Sequence, residues 1–459
     1  MKISLNTKEH DIFNKIRVLI RNWHSRFNEA AREIDLVLFF IACLSIFSMI
    51  GLLSLLIASE YFQQDSFISV ISYKSAERPA GLLPSMYPSP FGVHYFGDFL
   101  DTLSHSRVSD PFNTPGMSPV GYPLFSLLVI APFQMFDYHT SLKIYLATTA
   151  LILFIPLWRF GATRTISERF LIVASLLMSA PLLSTFDRGN IQGLVVGFSL
   201  LGLLAYWKDR QMQAGFWFAI AASMKVYPVL LLLLLVRSRN WKALGLSTCT
   251  GLFVTWLSFQ FFEGGIISNS QDLWDSVTRF RSDSIDVLTS GNHSFRGGFA
   301  ALAVQGPNWF RGTAESAVTN YNFLLLFALL VLSFLIIQRT TSFLNSVIYL
   351  SLLLSYGLGI SLSYMPLFLI LAVAMIIAGE SDRTLSSMLA MGGIALLLAP
   401  KGVPECFGIP LYVIFDPAVA LAILLLLVPQ DLRRSFRSSQ FILRNRGPFK
   451  QSQGSNATL

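Results

Sequence analysis

Ala214-Gly-Phe-Trp-Phe-Ala-Ile-Ala-Ala-Ser-Met-Lys225-Val-Tyr-Pro228-Val-Leu-Leu-Leu-Leu-Leu-Leu-Val236 holds a single charge, Lys225, in the middle of an apolar run. A lysine at the centre of a bilayer helix costs ~2.5–3.5 kcal/mol even on the lenient insertion scale. It persists only where it faces water, pairs with an anion or works. Pro228 lies three residues on and bends or breaks the helix there. The combination points to a membrane site that handles an anion.

The flanks decide how the run is threaded. Lys208 and Arg210 precede it; Arg237, Arg239 and Lys242 follow. Basic residues mark cytoplasmic connections, so both ends of the run belong on the inner side. The run must then enter and return, turning near Lys225. Each arm, about 12 residues, reaches only ~18 Å, short of a ~30 Å hydrocarbon core. A turn at that depth is tolerated only beside a water-filled cavity. Arg159, Arg164 and Arg169 mark another inner connection. Segment 122–136 becomes a half-inserted helix that does not cross, and the total is twelve crossings. A rival threading lets 122–136 and 214–236 each cross once, but leaves Arg159, Arg164, Arg169, Lys208 and Arg210 outside.

Composition agrees with a membrane protein. Of the 459 residues, 53% are hydrophobic and 13% charged, and mean hydropathy is +0.57. A soluble domain could not hide that much apolar surface, so the chain reads as an all-α polytopic membrane protein. Cys43, Cys249 and Cys406 form no close pair, so no disulfide framework or CxxC metal site is readable. The net charge of +8 gathers largely at the two ends, which suits the positive-inside rule better than a nucleic-acid partner.

Residues 1–34 carry Lys2, Lys8, Lys15, Arg17, Arg21, Arg26 and Arg32, with Ile12, Ile16, Leu19, Trp23 and Phe27 at helical spacing. This is the pattern of a basic amphipathic helix on the inner leaflet, and the apolar span starts too late for a cleavable signal. Residues 35–429 form one integral domain with outer loops at 59–120 and 263–320. Residues 430–459 are a basic cytoplasmic tail whose polar end is expected to be disordered. Both termini are thus expected inside the plasma (inner) membrane. No internal repeat is visible.

Candidate chemistry clusters on the outer side. Asp98, in His94-Tyr-Phe-Gly-Asp98-Phe-Leu-Asp101, could be a general base in an aromatic setting or a solvated acid or helix cap. Asp101 could share its helix face, and Asp110 before Pro111 reads as a turn residue. Asn190 in Asp187-Arg188-Gly-Asn190-Ile-Gln192 is a plausible N-cap, while Arg188 could contact an anionic head group. Gly291-Asn-His293-Ser-Phe-Arg296-Gly-Gly298 suits a phosphate or sugar contact through His293 and Arg296, although a lone histidine is more often structural. Asn292-His-Ser294 also matches a glycosylation sequon. No P-loop, GxGxxG, HExxH, GxSxG or DxD-like cluster is present, so neither ATP nor a soluble nucleotide-sugar is indicated.

Taken in order, these pieces resemble the GT-C membrane glycosyltransferases, and most closely glycosyltransferase family 87, the polyprenyl-phosphate-mannose-dependent α-mannosyltransferases. The resemblance rests on Gly97-Asp98-Phe99, Gly121-Tyr122-Pro123, Ala131-Pro132, Gly189-Asn-Ile-Gln192, the run from Ala214-Gly215 through Met224-Lys225-Val-Tyr227-Pro228 to Arg239-Asn-Trp241-Lys242, and Asn292-His-Ser294. It covers roughly residues 95–300. It implies a GT-C-type fold, a donor sugar on a polyprenyl phosphate, and inverting attack by a hydroxyl of a glycolipid or envelope-glycan acceptor, on the outer face. Asp98 matches the family's catalytic base and Lys225 a lysine near the donor phosphate. Tyr122, Asn190, Gln192 and Tyr227 join Arg188, His293 and Arg296 as substrate-binding candidates. Besides its donor, its acceptor and membrane lipids, the resemblance requires no cofactor, metal or nucleic acid. Three features depart from the family. Its Tyr-Pro-Pro reads Tyr122-Pro123-Leu124, the segment before Asp98 is long, and Ser361-Leu-Ser363-Tyr364 stands where a late aromatic-histidine motif is expected. A flippase of lipid-linked saccharides, or a polysaccharide polymerase or ligase, is the alternative; broken helices with a midplane charge also suit transporters.

Overall fold

The computed structural model describes residues 33–61, 96–114, 120–283, 292–357, 360–362, 364–380, 384–401, 405–406 and 409–445, with single positions at 15, 18 and 29. The expected amphipathic N-terminal helix, His94 and the end of the tail lie outside these residues. Among the described residues, regular secondary structure is helical apart from one two-residue antiparallel pair, Glu405–Cys406 with Ile409–Pro410.

The order begins with α1 (Leu36–Tyr61), α2 (Gly97–His105), α3 (Leu124–Ile130) and α4 (Tyr138–Phe160). Next come α5 (Ile166–Leu177), α6 (Ala180–Arg188), α7 (Gln192–Trp207), α8 (Gln211–Met224), α9 (Leu233–Ser238) and α10 (Trp241–Gln260). After these follow α11 (Gly265–Asp283), α12 (Phe295–Gln305), α13 (Asn308–Thr319) and α14 (Tyr321–Ile337). The last four are α15 (Phe343–Leu352), α16 (Ile370–Ile377), α17 (Leu385–Leu398) and α18 (Leu411–Asn445).

Three of these are individually long and apolar enough to cross a membrane, starting at Leu36, Tyr138 and Tyr412. The number is five if the pairs α5–α6 (bent 66°) and α13–α14 (bent 71°) each count as one span. Six further apolar helices are shorter. The chain is thus a polytopic membrane protein with many part-length helices. The segments read as outer loops are themselves structured: α2 lies in 59–120, and α11, α12 and α13 lie in 263–320. Their polarity disguised helices that bury one face only.

The centre of the bundle is Met365–Ile377, a 3₁₀ turn running into α16, in which every residue is buried. A helix apolar on all sides belongs in such a position. Small residues let neighbours close in. A Cβ on Gly202 would stand 2.5 Å from the Phe218 ring, and one on Gly215 2.7 Å from the Ala243 carbonyl oxygen.

Two ends can be told apart. At one, Arg164 pairs with Asp35, just before α1. Phe160 packs on Trp207 and Tyr206 on Phe343. The Ser238 hydroxyl donates to Gln211 Oε1 at 2.9 Å. Arg237 closes the end of α14 by donating to the carbonyls of Ile336 and Thr341 at 2.9 and 2.7 Å. The run 214–236 therefore starts and finishes at the same end and turns at Lys225. Arg164, Lys208, Arg210 and Arg239 gather at that end with it. At the opposite end lie α3 and the 3₁₀ turn that continues it (Ala131–Met135). Ser126 reaches the Met224 carbonyl, while Gln134 Nε2 donates to Ser106 Oγ at 2.6 Å.

Candidate active site

The turn after α6 builds the site. Gly189 has φ +60°, and a Cβ there would stand 2.7 Å from Phe99 Cβ. Only a residue without one permits both the left-handed turn and the approach of α2. Phe96 N–H donates to the Asp187 carbonyl at 2.7 Å and starts α2 against the end of α6. The Phe99 ring stacks on Tyr145 with centroids 4.6 Å apart. These contacts bring Asp98, on the first turn of α2, to face Arg188, the last residue of α6.

Arg188 holds Asp98 at two points, Nε to Oδ2 at 2.7 Å and Nη2 to Oδ1 at 3.1 Å. Asn190 Nδ2 donates to Asp98 Oδ2 at 2.6 Å and to Tyr122 Oη at 3.1 Å. The carbonyl oxygen of the same amide accepts from Gln192 N–H at 2.8 Å. The N-cap of α7 is Ile191 rather than Asn190; Asn190 ties the turn just before it and grips the carboxylate as well.

Lys225 ends α8 in extended conformation and is 5% exposed. Its ammonium donates to Gln192 Oε1 at 2.9 Å and more weakly to Asn190 Oδ1 at 3.5 Å. The rings of Tyr122, Tyr364 and Tyr227 lie 5.0, 5.1 and 5.9 Å from it. Three ring faces with negative quadrupoles offset much of what burial costs the cation. Tyr227 fixes the arrangement by donating to the same Gln192 oxygen at 2.6 Å.

These groups border a cavity of about 480 Å³, within the usual range for small-molecule sites. Its polar side is Asp98, Asp101, Tyr122, Arg188, Lys225, Tyr227 and Tyr364; its apolar side is Val226, Leu273, Val277, Ile360, Leu362 and Met365. A fixed ammonium, a guanidinium and a carboxylate in one partly enclosed space can bind an anion and take up a proton beside it. The apolar side can take a hydrocarbon chain. No group of three metal-binding side chains occurs among the described residues.

The candidates Asp98, Tyr122, Arg188, Asn190, Gln192, Lys225 and Tyr227 come together here. His293 and Arg296 do not line this cavity. His293 Nδ1 meets Asp416 Oδ2 at 2.9 Å and its ring stacks on Tyr412 at 4.6 Å. Lys401 pairs with the other oxygen of Asp416 at 2.9 Å. A buried carboxylate needs such partners, and the need was invisible because Asp416 lies far along the chain. Asn292 is buried at 1% exposure and accepts from Ser361 N–H at 2.8 Å, so its sequon is not displayed for glycosylation. With His293 N–H donating to the Ser361 carbonyl at 2.7 Å, the motif braces the segment whose Ile360, Leu362 and Tyr364 form a cavity wall. Tyr364 is the site residue that sequence reasoning passed over; its only signal was its place where an aromatic-histidine motif was expected. Arg188 also lies over that ring, at 5.4 Å.

The family model of glycosyltransferase family 87 matches residues 121–355, about half of the chain. The chain belongs to glycosyltransferase family 87. It is therefore a glycosyltransferase with a sugar donor and an acceptor as substrates. Among curated proteins and solved structures, none matches the chain. The family match takes in Tyr122, Arg188, Asn190, Gln192, Lys225, Tyr227, His293 and Arg296 but stops short of Asp98 and Tyr364. Those two lie outside the matched residues and are placed in the site by the geometry.

Proposed function

We propose that this glycosyltransferase moves a sugar, mannose in the first instance, from a polyprenyl-phosphate donor to a glycolipid or envelope-glycan acceptor on the outer face of the plasma membrane. Asp98 takes the proton of the attacking acceptor hydroxyl, and the anomeric carbon inverts. Lys225 and Arg188 compensate the charge that grows on the leaving lipid phosphate, where a preorganised cation contributes most. Tyr122, Asn190, Gln192 and Tyr227 hold the two cations and the carboxylate in register. The reaction so written needs no nucleotide, metal or other cofactor. His293 serves at a distance, by bracing the cavity wall.

The single observation behind this reading is the convergence of Asp98, Arg188 and Lys225, from three separate segments, on one cavity with an apolar side. The proposed orientation puts the basic end inside with both termini and opens the cavity outward, under the positive-inside rule. Twelve crossings remain the proposed count, with the two arms of 214–236 included. The test is transfer from polyprenyl-phosphate-mannose to extracted envelope lipids by the purified full-length protein, with products read by mass spectrometry. Wild type should give a new glycan and Asp98→Asn should give less than about 1% of it, a loss typical of removing a general base. Undiminished transfer by Asp98→Asn would remove Asp98 from its role.

A further inference from the structure

The Arg188–Asp98 pair sits awkwardly with the proposed reaction. A base must offer a lone pair to the acceptor hydroxyl, yet three of the four lone-pair sites on Asp98 are already taken. Oδ2 accepts from Arg188 Nε and Asn190 Nδ2, and Oδ1 accepts from Arg188 Nη2. One lone pair is left, on Oδ1, beside the guanidinium that already holds that oxygen.

The guanidinium has an alternative partner within reach. It lies 5.4 Å from the Tyr364 ring, and the Lys225 ammonium lies 5.1 Å from the same ring. Both cations line the same cavity, so one anion held there can meet both. Lys225 is fixed in place by Gln192 and the tyrosine rings, whereas the Arg188 side chain is 19% exposed and lines the cavity. Two cations against one carboxylate leave the trio one positive charge in excess, which a phosphodiester's single negative charge neutralises.

We propose that Arg188 exchanges partners during the cycle, held by Asp98 in the empty site and by the donor phosphate in the loaded one. Asp98 is then released as a base only after the donor has bound. This rests on the lipid-phosphate reading of the site.

Competition for one guanidinium has a signature that plain charge repulsion lacks. Asp98→Asn frees Arg188 and tightens phosphate binding; without Arg188 nothing is left to free. Repulsion between Asp98 and phosphate would instead give the same gain with or without Arg188. The experiment is binding of farnesyl phosphate to the purified full-length protein in nanodiscs, as a double-mutant cycle. Asp98→Asn should bind about tenfold tighter than wild type and Arg188→Gln about tenfold weaker or worse, the scale of a close charge pair. The double variant should match Arg188→Gln within about twofold, the spread of independent sites. A full Asp98→Asn gain in the Arg188→Gln background, or no gain in either, overturns the exchange. If Arg188→Gln melts abnormally, Arg188→Lys replaces it. A lysine cannot make the two-point clamp, so the gain should fall below about threefold, and a full gain there overturns the proposal. A folded wild type that binds no farnesyl phosphate removes the donor reading, and the exchange with it.

Discussion

Lys225→Met separates the folding role of the buried cation from its chemical role. The substitution removes a charged hydrogen bond to Gln192 Oε1 at 2.9 Å and three ring contacts at 5.0–5.9 Å. Together these are worth ~2–5 kcal/mol. The variant also sheds the cost of burying an ammonium, itself several kcal/mol. Gln192 Oε1 is not orphaned, because Tyr227 still donates to it at 2.6 Å. Methionine fills nearly the same volume, so the fold should lose no more than ~1–2 kcal/mol. The proposed reaction loses far more. A cation about 4 Å from a phosphate in a partly screened site is worth ~4 kcal/mol, and even half of that lowers kcat/KM by ~30-fold. The expected outcome is a melting curve close to wild type with donor-dependent transfer down ~30- to 1,000-fold. The measurements are tryptophan-fluorescence melting and transfer from polyprenyl-phosphate-mannose on one nanodisc preparation. Transfer within threefold of wild type would refute the phosphate role. A collapse of the melting curve would refute the cancellation and make Lys225 structural.

Three other predictions follow from the geometry. Gly189→Ala should lower stability by ~2–3 kcal/mol, from strain at φ +60° and the clash with Phe99. Gly189→Asn tolerates the dihedral but still carries a Cβ, so full recovery of thermal stability there would mean the Phe99 contact is irrelevant. A cysteine at Thr163, with Cys43, Cys249 and Cys406 replaced, should react with an impermeant maleimide only after the membrane is opened; reaction from outside would reverse the proposed orientation. Asp137 caps α4 by accepting from the His139 and Thr140 amides at 3.0 and 3.1 Å. Bonds from the Thr140 side chain and amide are the main causes that hold its carboxyl below the ordinary value. A lowered value in the fold means that the cap contributes fully above ~pH 4 and fades as pH falls through the folded value. Hydrogen exchange at the His139 and Thr140 amides, corrected for intrinsic rates, should therefore lose protection at low pH in wild type. Asp137→Asn should show no such pH response, and identical profiles would dismiss the cap.

Much of the architecture was open to reading along the chain. The return of 214–236 was legible because basic residues flank it on both sides, and the Ser238–Gln211 bond is the physical counterpart of that pattern. Asp110 was legible as a turn residue because its partners, the amides of Phe112 and Asn113, are its neighbours. His293 was read toward the sugar because a histidine among glycines advertises no partner, while Asp416 stands 123 residues away. The amphipathic helices between the spans passed for loops because hydropathy averages over faces.

The sequence by itself determined what could not be hidden or changed: an apolar polytopic chain, the side on which its positive charge collects, and a lysine whose burial demanded partners. Solvation energies are properties of residue types, and composition and spacing report them directly. Only the tertiary structure decided who those partners are. Asp98 meets Arg188 across 90 positions because a glycine with positive φ lets two helices touch. Tyr122, Tyr227 and Tyr364 surround one ammonium because three distant segments end at the same depth. Contacts of that kind depend on closure of the whole bundle, which no local run of residues encodes.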